Sequence, residues 1–254
     1  MKRRLTEIWC VFRIHLVRVR TEAGPYVLAA MVFPAAMYLF AAAVSDDALS
    51  GPAHVDHRLR FLAGSIVFSL ALTAISWLGY LLLENRFTGR LRLFATLPLA
   101  PSSYIFGILL FALAQAALGN ASLFLVARVF EVPTALTAPA GLLLLIVAII
   151  LMMLCGCGIA LVIAARARSF SEGSLLTDAL GAGIILIAPI YSTPEALPRV
   201  LRVVSRALPT TYAARAIQAT LAGRTDVGGD LLTLALMAIL TLSAGARAMR
   251  WREE

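Results

Sequence analysis

Residues 84–107 read ENRFTGRLRLFATLPLAPSSYIFG and join two apolar runs without charge, 61–83 and 99–127. Each run is long enough to cross a membrane, because a hydrocarbon core about 30 Å thick needs roughly 20 helical residues. The joining stretch is basic and amphipathic, and its three arginines alternate with apolar side chains. We therefore predict a short helix over residues 85–97 at the membrane surface, where a soluble partner could bind it.

The composition of the chain points to a membrane protein. Hydrophobic residues make up 61% of the 254 residues, charged residues make up 14%, and the mean hydropathy is +0.89. Water-soluble domains do not have such a composition. We do not expect the first apolar run to be a cleaved signal peptide, because it starts late and lacks a small-residue cleavage site. We predict an all-α integral membrane protein with one transmembrane domain over 1–254 and six transmembrane helices, at about 25–44, 61–83, 102–127, 139–164, 174–193 and 228–247.

The basic residues predict the orientation in the membrane. Most of the Lys and Arg lie before residue 25, in 84–92, in 166–168 and after 246. The positive-inside rule then places both termini and the 84–103 loop in the cytoplasm, with the chain in a plasma membrane of the bacterial inner-membrane type. The net charge of +8 is explained by this topology, so we expect no nucleic-acid partner.

Residues 3–22 are too charged to span the membrane but have an apolar stripe. A helix with this pattern lies in the headgroup layer, with its arginines near anionic lipid. A plain basic tail in the cytoplasm is the alternative. The apolar residues at helical spacing are Leu5, Ile8, Trp9, Phe12, Leu16 and Val19.

The segment 195–223 is the exception to the charge rule, because its arginines fall on the predicted outer side. Apolar residues follow helical spacing before and after Pro209, and Gly223 is suited to a helix end. Two short amphipathic helices with a proline break are too charged to span. We predict an outer re-entrant helical hairpin buried against protein.

Several polar residues within or beside the spans have two interpretations. Gln115 and Asn120 in the third span either bond a neighbouring helix or line a substrate path. Asp178 lies near the cytoplasmic end of the predicted fifth span, where it can face headgroups or water. Cys155 and Cys157 flank a glycine, which is more typical of close helix packing than of a metal site.

We predict no metal site and no catalytic residue in this chain. The loop 45–60 has acids and histidines, but their spacing matches no ligand pattern, and a solvated loop is the favoured interpretation. A phosphate-binding loop needs Gly-x-x-x-x-Gly-Lys, and the only lysine of the chain is Lys2. The chain therefore cannot hydrolyse ATP by that route. The polar residues of the loop are Asp46, Asp47, His54, Asp56 and His57.

Two motifs resemble the membrane subunits of type-2 ABC exporters, a group that includes drug-resistance, polysaccharide and teichoic-acid permeases. The first is the stretch 84–107, which in that family forms the coupling helix and ends in a Pro-Leu/Val-Ser turn. The second is APIYSTPEALP at 188–198, followed by ALPTTYAARAI at 207–217 and a Leu-Ala-Gly end. It resembles the family's outer Pro-x-x-x-Leu-Pro and Leu-Pro-x-Thr-Tyr signature, and the similarity covers nearly the whole chain.

The resemblance implies a mechanism and a set of partners. Two permease subunits, here a homodimer, would surround a path, and two copies of a separate ATPase subunit would bind ATP and Mg below them. The chain itself would hold no cofactor. Closure of the ATPase pair would push on the coupling helices, and the outer hairpin would act as a gate. The implied coupling residues are Glu84, Arg86, Gly89, Arg90, Leu91, Arg92, Leu93, Phe94, Leu97 and Pro98. The implied gate residues are Pro189, Tyr191, Pro194, Leu197, Pro198, Leu208, Pro209, Thr211 and Tyr212.

The sequence thus predicts the transmembrane subunit of an ATP-driven exporter that moves an amphipathic, lipid-linked or drug-like substrate by alternating access. The arginines of 84–92 have a plainer interpretation, which is positive-inside topology alone. A membrane-embedded lipid-modifying enzyme is the alternative function, although no polar catalytic cluster is visible. A membrane scaffold without transport activity is a third. A co-purifying ATPase subunit would separate the exporter from both.

Overall fold

The computed structural model of the protein describes residues 2–21, 23–46, 52–132, 134–135, 138–191 and 197–249. Within these ranges the chain is helical and has no strand. Asp47 and Pro194, which the sequence analysis singled out, lie outside them, as do the side chains of Asp46, His54 and Asp56.

Twelve α-helices and two π-helical segments make up the described chain. The π-helical segments are continuous with their neighbours: Leu28–Val32 joins Ala23–Val27 to Phe33–Asp46, and Leu72–Trp77 joins Pro52–Ala71 to Leu78–Phe87. The α-helices are α1 Lys2–Thr21, α2 Ala23–Val27, α3 Phe33–Asp46, α4 Pro52–Ala71, α5 Leu78–Phe87, α6 Arg90–Thr96, α7 Pro101–Val129, α8 Pro139–Arg166, α9 Phe170–Ile187, α10 Arg199–Ser205, α11 Pro209–Leu221 and α12 Gly228–Ala248.

Five helices in the described residues are long and apolar enough to cross a membrane. They overlap the second to sixth predicted spans. Over the predicted first span, 25–44, the described apolar helix is Ala30–Phe40, which is shorter than a span. The five are His57–Phe87, Pro101–Val129, Pro139–Arg166, Phe170–Ile187 and Gly228–Ala248.

Side-chain contacts show that successive long helices run in opposite directions. Arg86, near the end of α5, reaches the last turn of α8. Arg58, at the other end of the same continuous helix, bonds the carbonyl of Phe130 after α7. We call these the α6 end and the α11 end of the bundle. The α6 end also holds α1, and the α11 end holds the α10–α11 pair.

The continuous helix His57–Phe87 lies at the centre of the bundle. In its most apolar stretch of 18 residues, 78% is buried. The corresponding stretches of α9 and α12 are only 22% and 17% buried. Helices α9 and α12 therefore lie at the periphery and present most of their apolar surface outward. Such a surface suits lipid or another membrane subunit.

Small residues allow the closest helix contacts. A Cβ added to Gly158 of α8 would lie 2.4 Å from the backbone carbon of Thr241 in α12. A Cβ on Gly156 would lie 2.4 Å from Cβ of Ala74, on the other side of α8. The Cys-Gly-Cys sequence thus lies where α8 packs tightly, and both cysteines are free and buried. No group of metal-ligating residues is present in the described part of the chain.

Helix α9 packs on the central helix by the same means. Gly79 meets the side chain of Thr177, Gly173 meets Leu83, and Gly181 meets Ser76. These contacts repeat along one face of α9 and bury it. Asp178, the residue after Thr177, is exposed.

Candidate functional site

The turn before α6 is set by a glycine. Gly89 has φ of 78°, in the left-handed region that glycine adopts without strain. The N–H of Thr88 donates to the Glu84 carbonyl at 2.9 Å and closes α5. The predicted 85–97 helix is therefore divided: residues 85–87 belong to α5, and α6 runs from Arg90 to Thr96. Leu97 is extended and Pro98 follows it.

The inner face of α6 packs against the bundle. Leu91 and Phe94 are each 8% exposed, and the Phe94 ring lies 5.3 Å from that of Tyr104 in α7. The amide of Asn85 donates to the Tyr104 hydroxyl at 3.0 Å. Two helices thus hold α6 in position. This differs from the sequence analysis, in which Leu91 and Phe94 were part of the contact with the ATPase.

The outer face of α6 contributes little to the chain's own core. Leu93 is 65% exposed and Leu97 is 46% exposed, and Arg92, next to Leu93 in the sequence, is also exposed. These residues have the charged and apolar character that the sequence analysis assigned to a docking surface. We refer to Arg92, Leu93 and Leu97 as the α6 outer face.

Glu84 links three helices. Its Oε2 accepts a hydrogen bond from Arg18 of α1 at 2.6 Å, and its Oε1 accepts one from Arg90 of α6 at 3.1 Å. The side chains of Glu84 and Arg18 are 27% and 26% exposed. Because the charges are partly withdrawn from water, this cluster fixes geometry better than an exposed pair would.

Arg86 has an internal role. Its Nη1 donates to the carbonyls of Ala164 and Ala167 at 2.7 and 2.8 Å, at the C-terminus of α8. The last carbonyls of a helix lack intrahelical donors, and a cation there also opposes the helix dipole. The sequence analysis assigned Arg86 to the contact with the ATPase, but in the structure its guanidinium binds α8.

Helix α1 is fastened beside α6. Arg3 donates to the Pro98 carbonyl at 3.3 Å, and the Ala100 N–H donates to Oε2 of Glu7 at 3.2 Å. The Ser103 hydroxyl and the Ala100 N–H hold the pKa of the Glu7 carboxyl below its usual range. The α6 segment is thus tied to α1 at both of its ends.

His15 is a buried residue that the sequence analysis did not consider. It is 5% exposed, and its ring lies 5.6 Å from that of Phe111 in α7. Burial lowers the pKa of His15 to about 4, and the positive charges of Arg18 and Arg90 act in the same direction. The sequence signal for its burial was its position four residues after Val11, which places it on the face of α1 that packs on α7.

At the α11 end, a short turn at 206–208 joins α10 to α11. Thr211 donates its hydroxyl to the Ser205 carbonyl at 2.6 Å, and Tyr212 donates to the Arg206 carbonyl at 2.8 Å. Pro209 is buried in the first turn of α11, where its missing N–H costs no bond. Pro198 precedes α10 and is exposed, while Leu208 is half-buried.

The chain before α10 packs on the central helix. The Tyr191 ring lies 5.8 Å from that of Phe61, and Gly64 leaves room for it. Burial raises the pKa of the Tyr191 hydroxyl. Pro189 is buried beside it, and Leu197 is half-buried. The structure therefore brings most of the predicted gate residues to one end of the bundle.

Gln115 and Asn120 lie between helices, with 8% and 4% of their surface exposed. In the described part of the chain, Nε2 of Gln115 and both polar side-chain atoms of Asn120 have no hydrogen-bond partner. Gln115 borders cavities of about 20 and 80 Å³ that it shares with Tyr26 and Phe111. From the sequence, a bond to a neighbouring helix and a substrate path were both open, and both stay predictions.

Comparison with known families identifies the class. The family model of the ABC-2 type transporter membrane domain matches residues 7–222. The match covers most of the chain, so the protein belongs to this family. It is a multi-pass membrane protein and the transmembrane subunit of an ABC transporter, whose partner is an ATPase subunit. No curated protein sequence is significantly similar to the chain.

Proposed function

We propose that this protein is the transmembrane subunit of an ABC exporter that moves an amphipathic, lipid-linked or drug-like substrate out of the cytoplasm by alternating access. A homodimer of the chain works with two copies of an ATPase subunit, which bind ATP and Mg. The family match supports the transporter class. The exposed and firmly anchored α6 outer face is the observation that carries the coupling role.

The ATPase subunit contacts Arg92, Leu93 and Leu97 in this proposal. Arg90 is half exposed and contributes charge while it holds Glu84. The force from the ATPase passes to the bundle through residues that bind α6 and α5 to their neighbours and do not touch the ATPase. These residues are Leu91, Phe94 and Arg86. A push on α6 then moves α7 through Tyr104 and α1 through Glu84, so the helices shift as packed units.

The six-span topology is also part of the proposal. Helices α2 and α3, with the π-helical segment between them, form one continuous helix whose apolar part is Ala30–Phe40. Tilt, local thinning and flanking residues let a short apolar stretch cross a bilayer. Both termini and α6 are then cytoplasmic, and the α10–α11 hairpin forms a re-entrant gate at the outer face.

The gate consists of the residues that connect the hairpin to the bundle. Tyr191 against Phe61 is one contact, and the bonds of Thr211 and Tyr212 make the hairpin a compact unit. Opening would separate this unit from the central helix. The proposed gate residues are Pro189, Tyr191, Pro194, Leu197, Pro198, Leu208, Pro209, Thr211 and Tyr212.

The test is association with the ATPase. The chain is co-expressed with its ATPase subunit, and the amount of ATPase that co-purifies is measured for Arg92→Glu with Leu93→Asp. We expect co-purification to fall at least tenfold while membrane insertion stays normal. Arg128→Glu with Val129→Asp, an exposed Arg and apolar pair at the α11 end, is the matched control and should retain the ATPase. Normal co-purification by the α6 variant would overturn the proposed coupling surface.

A further inference from the structure

A carboxylate lies well within the apolar length of a spanning helix. Asp178 is the ninth residue of the 18-residue helix α9, so it lies about 12 Å along the axis from Phe170 at 1.5 Å per residue. The predicted span of 174–193 put Asp178 near its end. Because α9 starts at Phe170 and ends at Ile187, Asp178 lies near the middle of the helix.

The carboxylate lies on the exposed flank of α9, beside the central helix. Thr177, its neighbour, is buried against Gly79, whereas Asp178 is exposed. The Tyr80 hydroxyl donates to Oδ2 of Asp178 at 2.5 Å. Among the described residues no Lys, Arg or His forms an ion pair with this carboxylate. The site thus has a negative charge, one hydrogen bond and no counter-ion of its own.

Aromatic surface surrounds the charge. Phe170 and Ser174 precede Asp178 by two turns and one turn on the same face of α9. The ring centroids of Tyr80 and Phe170 are 6.3 Å apart, and Phe170 is 42% exposed. The Ser174 hydroxyl donates to the Ser171 carbonyl within α9 at 2.9 Å and lies one turn before Asp178. Helices α5 and α9 together present a carboxylate, two hydroxyls and two rings on one accessible face.

This combination is suited to a cation. A charged residue near the centre of a span costs about 2.5–3.5 kcal/mol even on an insertion scale, and such residues usually mark a functional path. Tyr80 relieves only part of that cost, because the second carboxylate oxygen has no partner in the described chain. Cations also bind the faces of aromatic rings, by about 0.5–2 kcal/mol.

We propose that Tyr80, Phe170, Ser174 and Asp178 form a binding site for the cationic group of an amphipathic substrate, such as an organic ammonium or phosphonium with an apolar body. The inference rests on the proposed export function and narrows its cargo. An anionic lipid-linked cargo would meet like charge here, and a neutral one would leave the carboxylate without a counter-ion. The exposed apolar residues of α9, among them Leu175 and Leu186, suit the apolar body.

The test compares two ions of nearly equal size and opposite charge. Equilibrium binding of radiolabelled tetraphenylphosphonium and of tetraphenylborate is measured on the full chain in phosphatidylcholine nanodiscs, and binding to empty nanodiscs is subtracted. We expect the wild type to bind the phosphonium at least tenfold more tightly than Asp178→Asn does. Asp178→Glu should recover part of the affinity, and Tyr80→Phe, which keeps the ring, should weaken binding less than Asp178→Asn. Tetraphenylborate binding should be equal in all variants.

Asp230→Asn is the matched control, because Asp230 lies in α12 at the opposite end and pairs with Arg215. It should bind the phosphonium as the wild type does. Equal phosphonium binding by wild type and Asp178→Asn would overturn the inference, as would dissociation of a dimer into monomers by Asp178→Asn. ATPase co-purification is measured on the same proteins. If the wild type co-purifies with the ATPase but binds the phosphonium no better than Asp178→Asn does, only the cation site is wrong. If the wild type does not co-purify with the ATPase, the proposed function is contradicted.

Discussion

At the scale of single residues, Glu84 determines how α1, α5 and α6 lie relative to one another. One carboxylate oxygen bonds Arg18 and the other bonds Arg90. An exposed ion pair is worth about 0.2–1 kcal/mol, and partly buried charges that lose their partner cost more. Burial lowers the pKa of His15, and Arg18 and Arg90 of this cluster lower it further because both oppose a third positive charge beside them.

Glu84→Gln should weaken the α6 end. The change keeps the shape of the side chain but removes the negative charge that Arg18 and Arg90 share. We expect a loss of about 1–2 kcal/mol in stability, which is a fall of a few degrees in the thermal midpoint in detergent, and a lower ratio of transport to ATP hydrolysis. Glu131→Gln, an exposed position at the α11 end, is the control. An equal fall in both variants would mean that the cluster has no special role.

His15 should make the protein sensitive to mild acid. Its pKa is about 4 in the folded protein against an ordinary 6.5, so the unfolded chain binds the extra proton first. The stabilising contribution is complete above pH 6.5 and is lost as the pH falls towards 4, with about 2 kcal/mol lost at pH 5. The thermal midpoint should therefore fall between pH 7 and pH 5. The fall should be smaller in His15→Gln, and identical pH profiles for both proteins would contradict this account.

At the scale of helices, the seam between α8 and α12 is the most extensive helix contact among the described residues. Gly158 lies against the backbone of Thr241, and Gly245 lies against Leu161. In a membrane, helices gain from such close packing because lipid supplies no hydrophobic drive between them. Helices α8 and α12 should consequently move together during any transport cycle.

Gly158→Ala should loosen this seam. The new Cβ would lie 2.4 Å from a backbone carbon, which cannot yield as a flexible side chain would. Overpacking of this kind costs about 1–3 kcal/mol. Gly229→Ala, in the first turn of α12 with no atom near its Cβ, is the control and should be neutral. The measurement is the thermal midpoint of the purified proteins, and a Gly158→Ala protein as stable as the control would contradict the packing described.

Most helix positions could be predicted from the sequence, because they follow from uncharged apolar runs bounded by proline or glycine. Thus α8, predicted at 139–164, is Pro139–Arg166. Helix α9 begins at Phe170, before the predicted span 174–193, because hydropathy ignores capping. Ser169 accepts a hydrogen bond from the Glu172 N–H, and Glu172 bonds the Arg168 N–H, a Ser-x-x-Glu start that was visible in the sequence.

The two faces of α6 could not be separated in this way. Leu91 and Phe94 form one apolar row, and Leu93 and Leu97 form another, so spacing alone does not tell which is buried. The position of Tyr104 decides it, and that position is a tertiary fact. The same holds for Arg86, because its partners at Ala164 and Ala167 are distant in the sequence.

At the scale of the whole molecule, orientation is the property to measure. In a background without Cys10, Cys155 and Cys157, single cysteines at Arg202 and Arg224 should react with an impermeant thiol reagent added outside intact cells. Cysteines at Arg90 and Arg168 should react only after the membrane is opened. The physical reason is the asymmetric distribution of arginine between the two ends. Labelling in the reverse order would invert the topology and remove the gate from the outer side.

The purified chain alone should not hydrolyse ATP. Its sequence has no phosphate-binding loop and only Lys2 as lysine. Phosphate release is measured with the permease alone, the ATPase subunit alone and the assembled complex. Robust hydrolysis by a preparation free of other polypeptides would contradict the assignment as a transport subunit without its own ATPase site.

The division of α6 into two faces also bears on how such a transporter could change its ATPase subunit. The residues that hold α6 in place, Leu91 and Phe94, are not those that point outward, Arg92 and Leu93. Partner recognition can therefore drift, or be redesigned, without disturbing the fold that carries it. The partner-binding residues of such a permease can thus be exchanged separately from the residues that hold α6. Grafting the outward residues of another member's α6 would be the shortest route to pairing the permease with a foreign ATPase.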